Sequence, residues 1–395
     1  MRVTPITVLL LISINLNAVT LDELIANAKE PQLIEKTIDA QELALESQNL
    51  AQTETAPLTY HQSFSQNQGT GESGLEYEVS FSKEFKLGDI RELEQRANRL
   101  KSRAYLLEKR QDIYRYNAYL GNLYHGYCLN QDYINSFQEG LKRFTQLYSK
   151  KEQAYREDEI SKTELLQLGL EKQRLESELN NRLQQQQNAK EQLFGLTTLQ
   201  AHPELSCQDI YPIQEEVVLS EDSFALSQEA FNKRIKSRQV GIERYSQKIE
   251  HIDVSMGYTK ELNQDIYTIA LSVPLDFSTH KSEYERASLL HQSSALTLQN
   301  EQMIERRRAK IVQFQKELEE SFAEIASQKK MIQSYTSSLL PLMKKSYEYG
   351  ESSVIEYLLS EQKLYQLKEK LLEKKRGYFK TLFKLYSMIE TKEIL

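Results

Sequence analysis

Two short stretches carry the side chains whose types and spacing could do chemistry. Tyr155, Asp158, Ser161 and Glu164 recur 192 residues later as Tyr347, Gly350, Ser353 and Glu356. Gly350 can take the positive φ that a tight turn needs, and Ser161 and Ser353 stand where a hydroxyl caps a following helix. Glu164 and Glu356, three residues on, suit the positive end of that helix. This is a chemistry of turns, charge and contact. No nucleophile elbow, phosphate-binding glycine loop or metal-ligand spacing occurs, so a non-enzyme is expected, with no catalytic, cofactor or metal site. Cys128 and Cys207 are the only cysteines. Outside the cytoplasm they can form a disulfide; the alternative is two free thiols. His125 precedes Cys128 by three residues and would share its helix face, but two ligands do not make a zinc site.

Composition narrows the class. Thirteen glycines, seven prolines, no tryptophan and 27% charged residues among 395 suit long solvated helices better than compact cores. A net charge of −7, with no basic cluster interleaved with aromatics, disfavours nucleic acid as a partner. Residues 1–18 read as a secretory signal peptide: Arg2 supplies charge, Ile6 to Leu16 is mostly apolar, and Ala18 is the small residue cleavage needs. The residue after Ala18 is Val19 and not a cysteine, so no lipid anchor is expected at the mature N-terminus, and no later stretch is apolar enough for a membrane helix.

The elements that must hold the two turns are long. The 145 residues from Leu58 to His202 contain no proline, and neither do the last 54, which permits uninterrupted helices. Ile113, Tyr116, Leu120, Leu123, Tyr127, Ile134, Phe137, Leu141, Phe144 and Tyr148 alternate steps of three and four, with Asn130 the one polar member. That is a coiled-coil register. Apolar doublets seven residues apart, from Tyr357-Leu358 to Leu385-Tyr386, widen the seam of the last helix enough to meet a neighbour on either side.

Two strand pairs interrupt the helices. Leu75, Tyr77, Val79 and Phe81 alternate with polar residues, and Tyr267, Ile269, Leu271, Val273, Leu275 and Phe277 alternate with Thr268, Ala270, Ser272, Pro274 and Asp276. Weaker partners precede them, before turns through Gly69, Gly71 and Gly74 and near Asn263. Such alternation fits an outer-membrane strand, apolar to lipid and polar to the lumen; a half-buried strand of a soluble sheet reads the same way. The expected plan is a duplication. Residues 19–198 would hold a first helix, strands at 59–67 and 75–86 and a helical hairpin at 89–196. A linker, 199–221, would join them to residues 222–395, with a helix, strands at 252–260 and 266–277 and a hairpin at 280–390. Four strands cannot close a barrel, and open sheet edges are not tolerated in lipid, so several copies would have to share one wall.

The chain resembles the TolC family of outer-membrane efflux proteins. The match covers Leu21 to Ala28, both strand pairs and both hairpins. Its most specific part is the tip signature of an aromatic, a glycine, a hydroxyl and an acidic residue, which Tyr347, Gly350, Ser353 and Glu356 fit well; Asp158 stands where glycine is usual. The Val273-Pro274-Leu275 entry to the second hairpin is also typical. The resemblance implies a mainly helical chain with membrane strands. Its homotrimer would join a 12-stranded β-barrel to a helical periplasmic barrel, in the outer membrane of a Gram-negative bacterium. Implied partners are outer-membrane lipid, a periplasmic adaptor and an inner-membrane pump of the RND or ABC type. It assigns adaptor docking to Tyr155, Asp158, Ser161, Tyr347, Gly350 and Ser353. It assigns the periplasmic gate to Glu164, Tyr347, Ser352 and Glu356, with Tyr347 hydrogen-bonded to Glu164 and three copies of Glu356 in an acidic ring. Leu359 takes the family's second acidic position, and Ser352 that of a basic gating partner. The competing class is a soluble periplasmic coiled-coil adaptor or scaffold.

Overall fold

The computed structural model describes residues 18–68, 73–200, 203–217, 225–247, 249–274 and 279–390. The expected leader up to residue 17, the turn glycines Gly69 and Gly71, and Leu275 and Phe277 lie outside them. Strict alternation has become one antiparallel sheet. β1 (Thr59–Gln68) pairs with β2 (Ser73–Lys86), β2 with β3 (His251–Lys260), and β3 with β4 (Asp265–Ser272), in the order β1-β2-β3-β4.

The register decides the two faces. The chain of partners Tyr60↔Phe81, Phe81↔Met256 and Met256↔Ile269 aligns apolar residues of all four strands on one side. His61↔Ser80, Ser80↔Gly257 and Gly257↔Thr268 set small and polar residues on the other. The apolar side stands open: Leu75 is 70% exposed, Tyr267 80% and Ile269 85%. The rings of Tyr77, Tyr258 and Tyr267 cross it in a row, with centroids 5.7 and 5.1 Å apart. The fourth strand stops at Ser272 instead of running on toward Phe277; Pro274 has no N–H to give a ladder.

Two units divide the chain. One comprises residues 33–112 and 224–308. It holds the sheet, most of α2 (Lys29–Thr53), the first part of α3 (Ile90–Arg156), α5 (Ala225–Arg244) and the first part of α6 (Lys281–Ser334). At the foot of β2 an ion-pair chain joins strand to helix. Glu94 takes Lys86 at 2.7 Å and Arg244 at 2.8 Å, and Arg244 reaches Glu250 at 3.3 Å.

The other unit comprises residues 1–32, 113–223 and 309–395. It holds α1 (Leu21–Ala26), the rest of α3, α4 (Lys162–Gly195) and the rest of α6. A π-helical turn (Tyr335–Leu339), α7 (Leu340–Glu348) and α8 (Val354–Ile389) complete it. The π turn lies where Pro341 would otherwise force its ring against a helix carbonyl. Leu120, Tyr127, Ile134, Phe137 and Phe144 of the heptad register are buried. So is its polar member: Asn130 donates to Gln186 of α4 at 2.6 Å and accepts from Arg376 of α8 at 3.2 Å, which fixes the register of three helices.

The segment 203–217 has no helix or strand, yet it is fastened. Cys128 and Cys207 are joined by a disulfide, with Cα atoms 5.4 Å apart. Buried His125 accepts from the Tyr211 N–H at 2.9 Å through Nε2 and donates through Nδ1 to the Gly121 carbonyl at 2.8 Å. Burial holds its pKa down to about 4, so the ring is neutral at pH 7. Tyr378 accepts from the N–H of Gln214 and donates to its carbonyl, both at 3.0 Å. His125 therefore serves the backbone and Cys128 its disulfide. No helix among the described residues is long and apolar enough to cross a membrane.

Candidate docking and gate site at the hairpin tips

Each hairpin turns by the same local device. After α3, the Glu159 N–H reaches the Ala154 carbonyl at 2.9 Å and the Asp158 N–H the Tyr155 carbonyl at 3.1 Å. After α7, the Glu351 N–H reaches the Ser346 carbonyl at 2.8 Å and the Gly350 N–H the Tyr347 carbonyl at 3.1 Å. These bonds satisfy the carbonyls at a helix end, and they need one residue in left-handed backbone. Gly350 takes it at φ 73°, and Asp158 takes it at φ 59°. Aspartate is among the few non-glycine residues that tolerate this region. The departure from glycine at Asp158 thus leaves the turn intact.

The following helices start on the expected hydroxyls. Ser161 accepts from the Glu164 N–H at 3.1 Å, and Ser353 from the Glu356 N–H at 3.2 Å. Beyond this the tips differ. The Glu356 carboxylate folds back on the Ser353 N–H at 2.9 Å, completing a reciprocal cap. Glu164 instead faces Lys151 of α3 at 3.5 Å.

Lys151 is the residue that sequence reasoning missed. Its ammonium lies 5.0 Å from the centre of the Tyr347 ring while it pairs with Glu164. Within this chain Tyr347 and Glu164 are therefore linked through this lysine. Burial opposes the Lys151 charge, but hydrogen bonding to Tyr347 and the Glu164 carboxylate outweigh it and raise the pKa. Tyr347 also stacks on Tyr357, centroids 5.6 Å apart with planes 13° from parallel. The Tyr357 hydroxyl donates to Glu361 at 3.0 Å. Burial first, then the Glu361 charge, pushes the phenols of Tyr357 and Tyr365 up, Tyr365 to about 12. A groove of about 380 Å³ lies here, lined in part by Arg143, Lys150, Tyr347, Tyr357, Glu361 and Tyr365.

The other assigned residues sit apart from this cluster. Tyr155 is half-buried, and Asp158, Ser161, Gly350 and Ser353 are exposed at the turns. Ser352 keeps a hydroxyl oxygen shut from solvent with no hydrogen-bond partner among the described residues, and Leu359 is 58% exposed. Among the described residues no three His, Cys, Asp or Glu side chains gather at ligand spacing at the tips. The arrangement can hold two hairpins together by charge and aromatic contact and can present polar turns to a partner.

No sequence-family model matches the chain, and neither does any curated protein. Solved structures do. The chain is similar to CusC, described for its folding and transmembrane channel formation, with a TM-score of 0.73 at 14% identity over 93% of this chain and 90% of that one. It is similar to a membrane protein from Pseudomonas aeruginosa, at 0.73 and 12% over 93% and 91%. The outer-membrane channel OprN superposes at 0.71 and 10% over 93% and 89%. The likeness establishes the fold: this chain is built as CusC and OprN are built, mainly helical with a small antiparallel sheet, as the sequence resemblance implied for the single chain.

Proposed function

We propose that the protein is the outer-membrane channel subunit of a tripartite efflux or secretion system in a Gram-negative bacterium. One observation carries the reading: a four-stranded sheet with an open, largely apolar face, its polar members (Gln62, Gln66, Lys83, Lys260 and Asp265) set among Leu75, Val79, Phe81, Met256, Ile269 and Leu271, and with two edge strands, joined in one chain to long helical hairpins. Water does not favour a sheet face of that kind, whereas lipid does. The edges at β1 and β4 need partners in lipid, and sister copies supply them; three copies would give twelve strands. The fold shared with CusC and OprN supports the same assignment.

In this reading the tips form the periplasmic end. The turns at Tyr155 to Ser161 and Tyr347 to Ser353 dock a periplasmic adaptor bound to an inner-membrane pump. The Lys151 bridge between Glu164 and Tyr347 keeps neighbouring hairpins together in the closed state, and Glu356 from each copy lends the constriction a preference for cations. The role is transport without catalysis. Extraction settles the main claim: the mature protein should enter the membrane fraction and run as a heat-sensitive trimer on unheated gels. A water-soluble species of one chain would reject it in favour of a scaffold or adaptor. For the acidic ring, unchanged cation preference and divalent block in Glu356→Gln would remove Glu356 from the gate.

A further inference from the structure

We infer that Glu84, His251 and Asp253 form a binding site for a divalent first-row transition ion of the zinc or cobalt kind on the polar face of the sheet. Glu84 of β2 lies directly opposite Asp253 of β3 in the register, and His251, two residues from Asp253, shares their face. One imidazole nitrogen and two carboxylate oxygens lie within 4.8 Å of one another, with His251 Nε2 3.9 Å from Asp253 Oδ2. All three residues are half-buried.

The charge balance points to a cation. Two carboxylates directly opposite on paired strands repel each other, and no hydrogen bond or ion pair engages Glu84 among the described residues. The nearby cations are already taken. Lys86, opposite His251, is turned to Glu94 at 2.7 Å, and Arg244 is held by Glu94 at 2.8 Å and Glu250 at 3.3 Å. The carboxylate pair keeps only His251 as company, and a dication would neutralise it.

The donor set selects the ion. Three protein ligands with solvent completing the shell suit zinc-like ions, whereas calcium and magnesium gain nothing from an imidazole and copper(I) favours sulfur. Bonds of about 2.0–2.2 Å put ligand atoms roughly 3–3.5 Å apart, so modest side-chain rotation closes the site. The ion would tie β2 to β3, the one pairing between the two strand hairpins of the duplicated plan. The site lies within one chain and does not depend on the channel reading; under that reading it faces the lumen.

The test uses the full mature protein in detergent, stripped with chelator and titrated with Co2+ alone. Visible absorption and calorimetry should report one ion per chain, displaced by Zn2+, with affinity falling at least about tenfold in His251→Ala and in Asp253→Asn. Glu78→Gln, on the same face but distant in the register, should bind as the parent does. If His251→Ala misfolds by circular dichroism, Glu84→Gln replaces it, since that side chain has no hydrogen bond or ion pair among the described residues to lose. Undiminished Co2+ binding in these variants, or no stoichiometric binding up to about 1 mM, would overturn the site and leave the trimer question untouched.

Discussion

Removing the Cys128–Cys207 bond should lower stability without altering the fold. The bond spans 79 residues of sequence. In the chain-entropy treatment, releasing a loop of that length returns about 15 cal/mol/K to the unfolded chain, about 4.5 kcal/mol at 25 °C. The folded side keeps its other fastenings: His125 to the Tyr211 N–H, Tyr378 to both backbone groups of Gln214, and the Tyr124 hydroxyl to the Ser206 carbonyl. The segment should therefore stay docked while the margin shrinks. Unfolding entropy near 2.1 cal/mol/K per residue gives roughly 0.8 kcal/mol/K for a chain of 395 residues, so the thermal midpoint should fall by about 5 °C. The assay is a pair of calorimetric melts, parent against Cys128→Ala/Cys207→Ala, with and without reductant. A double variant melting within about 1 °C of the oxidised parent would refute the reasoning.

Four further outcomes follow from the same contacts. His125 is held at about 4 against an ordinary 6.5, so the unfolded chain binds its proton first. Its contribution is complete above about 6.5 and is lost toward pH 4, on the order of 3 kcal/mol; His125→Gln should flatten midpoint against pH across that window, and equal slopes would count against it. A Cβ at Gly140 would run into the Tyr365 ring, at a cost of about 1–3 kcal/mol set against about 1 kcal/mol gained in the interior of α3, so Gly140→Ala should destabilise by up to about 2 kcal/mol; a stabilisation of about 1 kcal/mol would deny that close approach. Lys151→Met removes an ion pair and a ring contact of about 1 kcal/mol together. Open-state occupancy in single-channel records should then rise roughly fivefold for each bridge that parts, on the order of 100-fold where three part together, whereas unchanged gating would free the tips of that bridge. Ile269→Arg on the open sheet face should cost about 2–4 kcal/mol in lipid and reduce the trimer band; normal assembly would place that face in water.

The features legible in the sequence are local ones. Alternating residues such as Tyr77, Val79 and Phe81 declare a strand because side chains repeat every second position, and β2 contains all three. The turns are legible for a similar reason: Gly350 and Asp158 are types that accept left-handed backbone. Even Asn130 stands out in the heptads, although its partners do not. Gln186 and Arg376 lie 56 and 246 residues from it, and nothing local encodes such pairs. Lys151 escapes notice because one lysine among many on a solvated helix carries no mark until Tyr347 and Glu164 are set beside it. The triad of Glu84, His251 and Asp253 exists only through the β2–β3 register, and so has no motif. Periodicity reveals which face a residue occupies; tertiary pairing decides what that face meets.

The central claim is that copies of this chain complete one another to form a conducting duct. Planar-bilayer recording of the purified, detergent-solubilised mature protein tests it most directly. Discrete conductance steps are expected from the species that migrates as a trimer before heating, and none after heating. A bilayer that stays silent with the intact assembly, or current that persists with heat-dissociated chains, would contradict it.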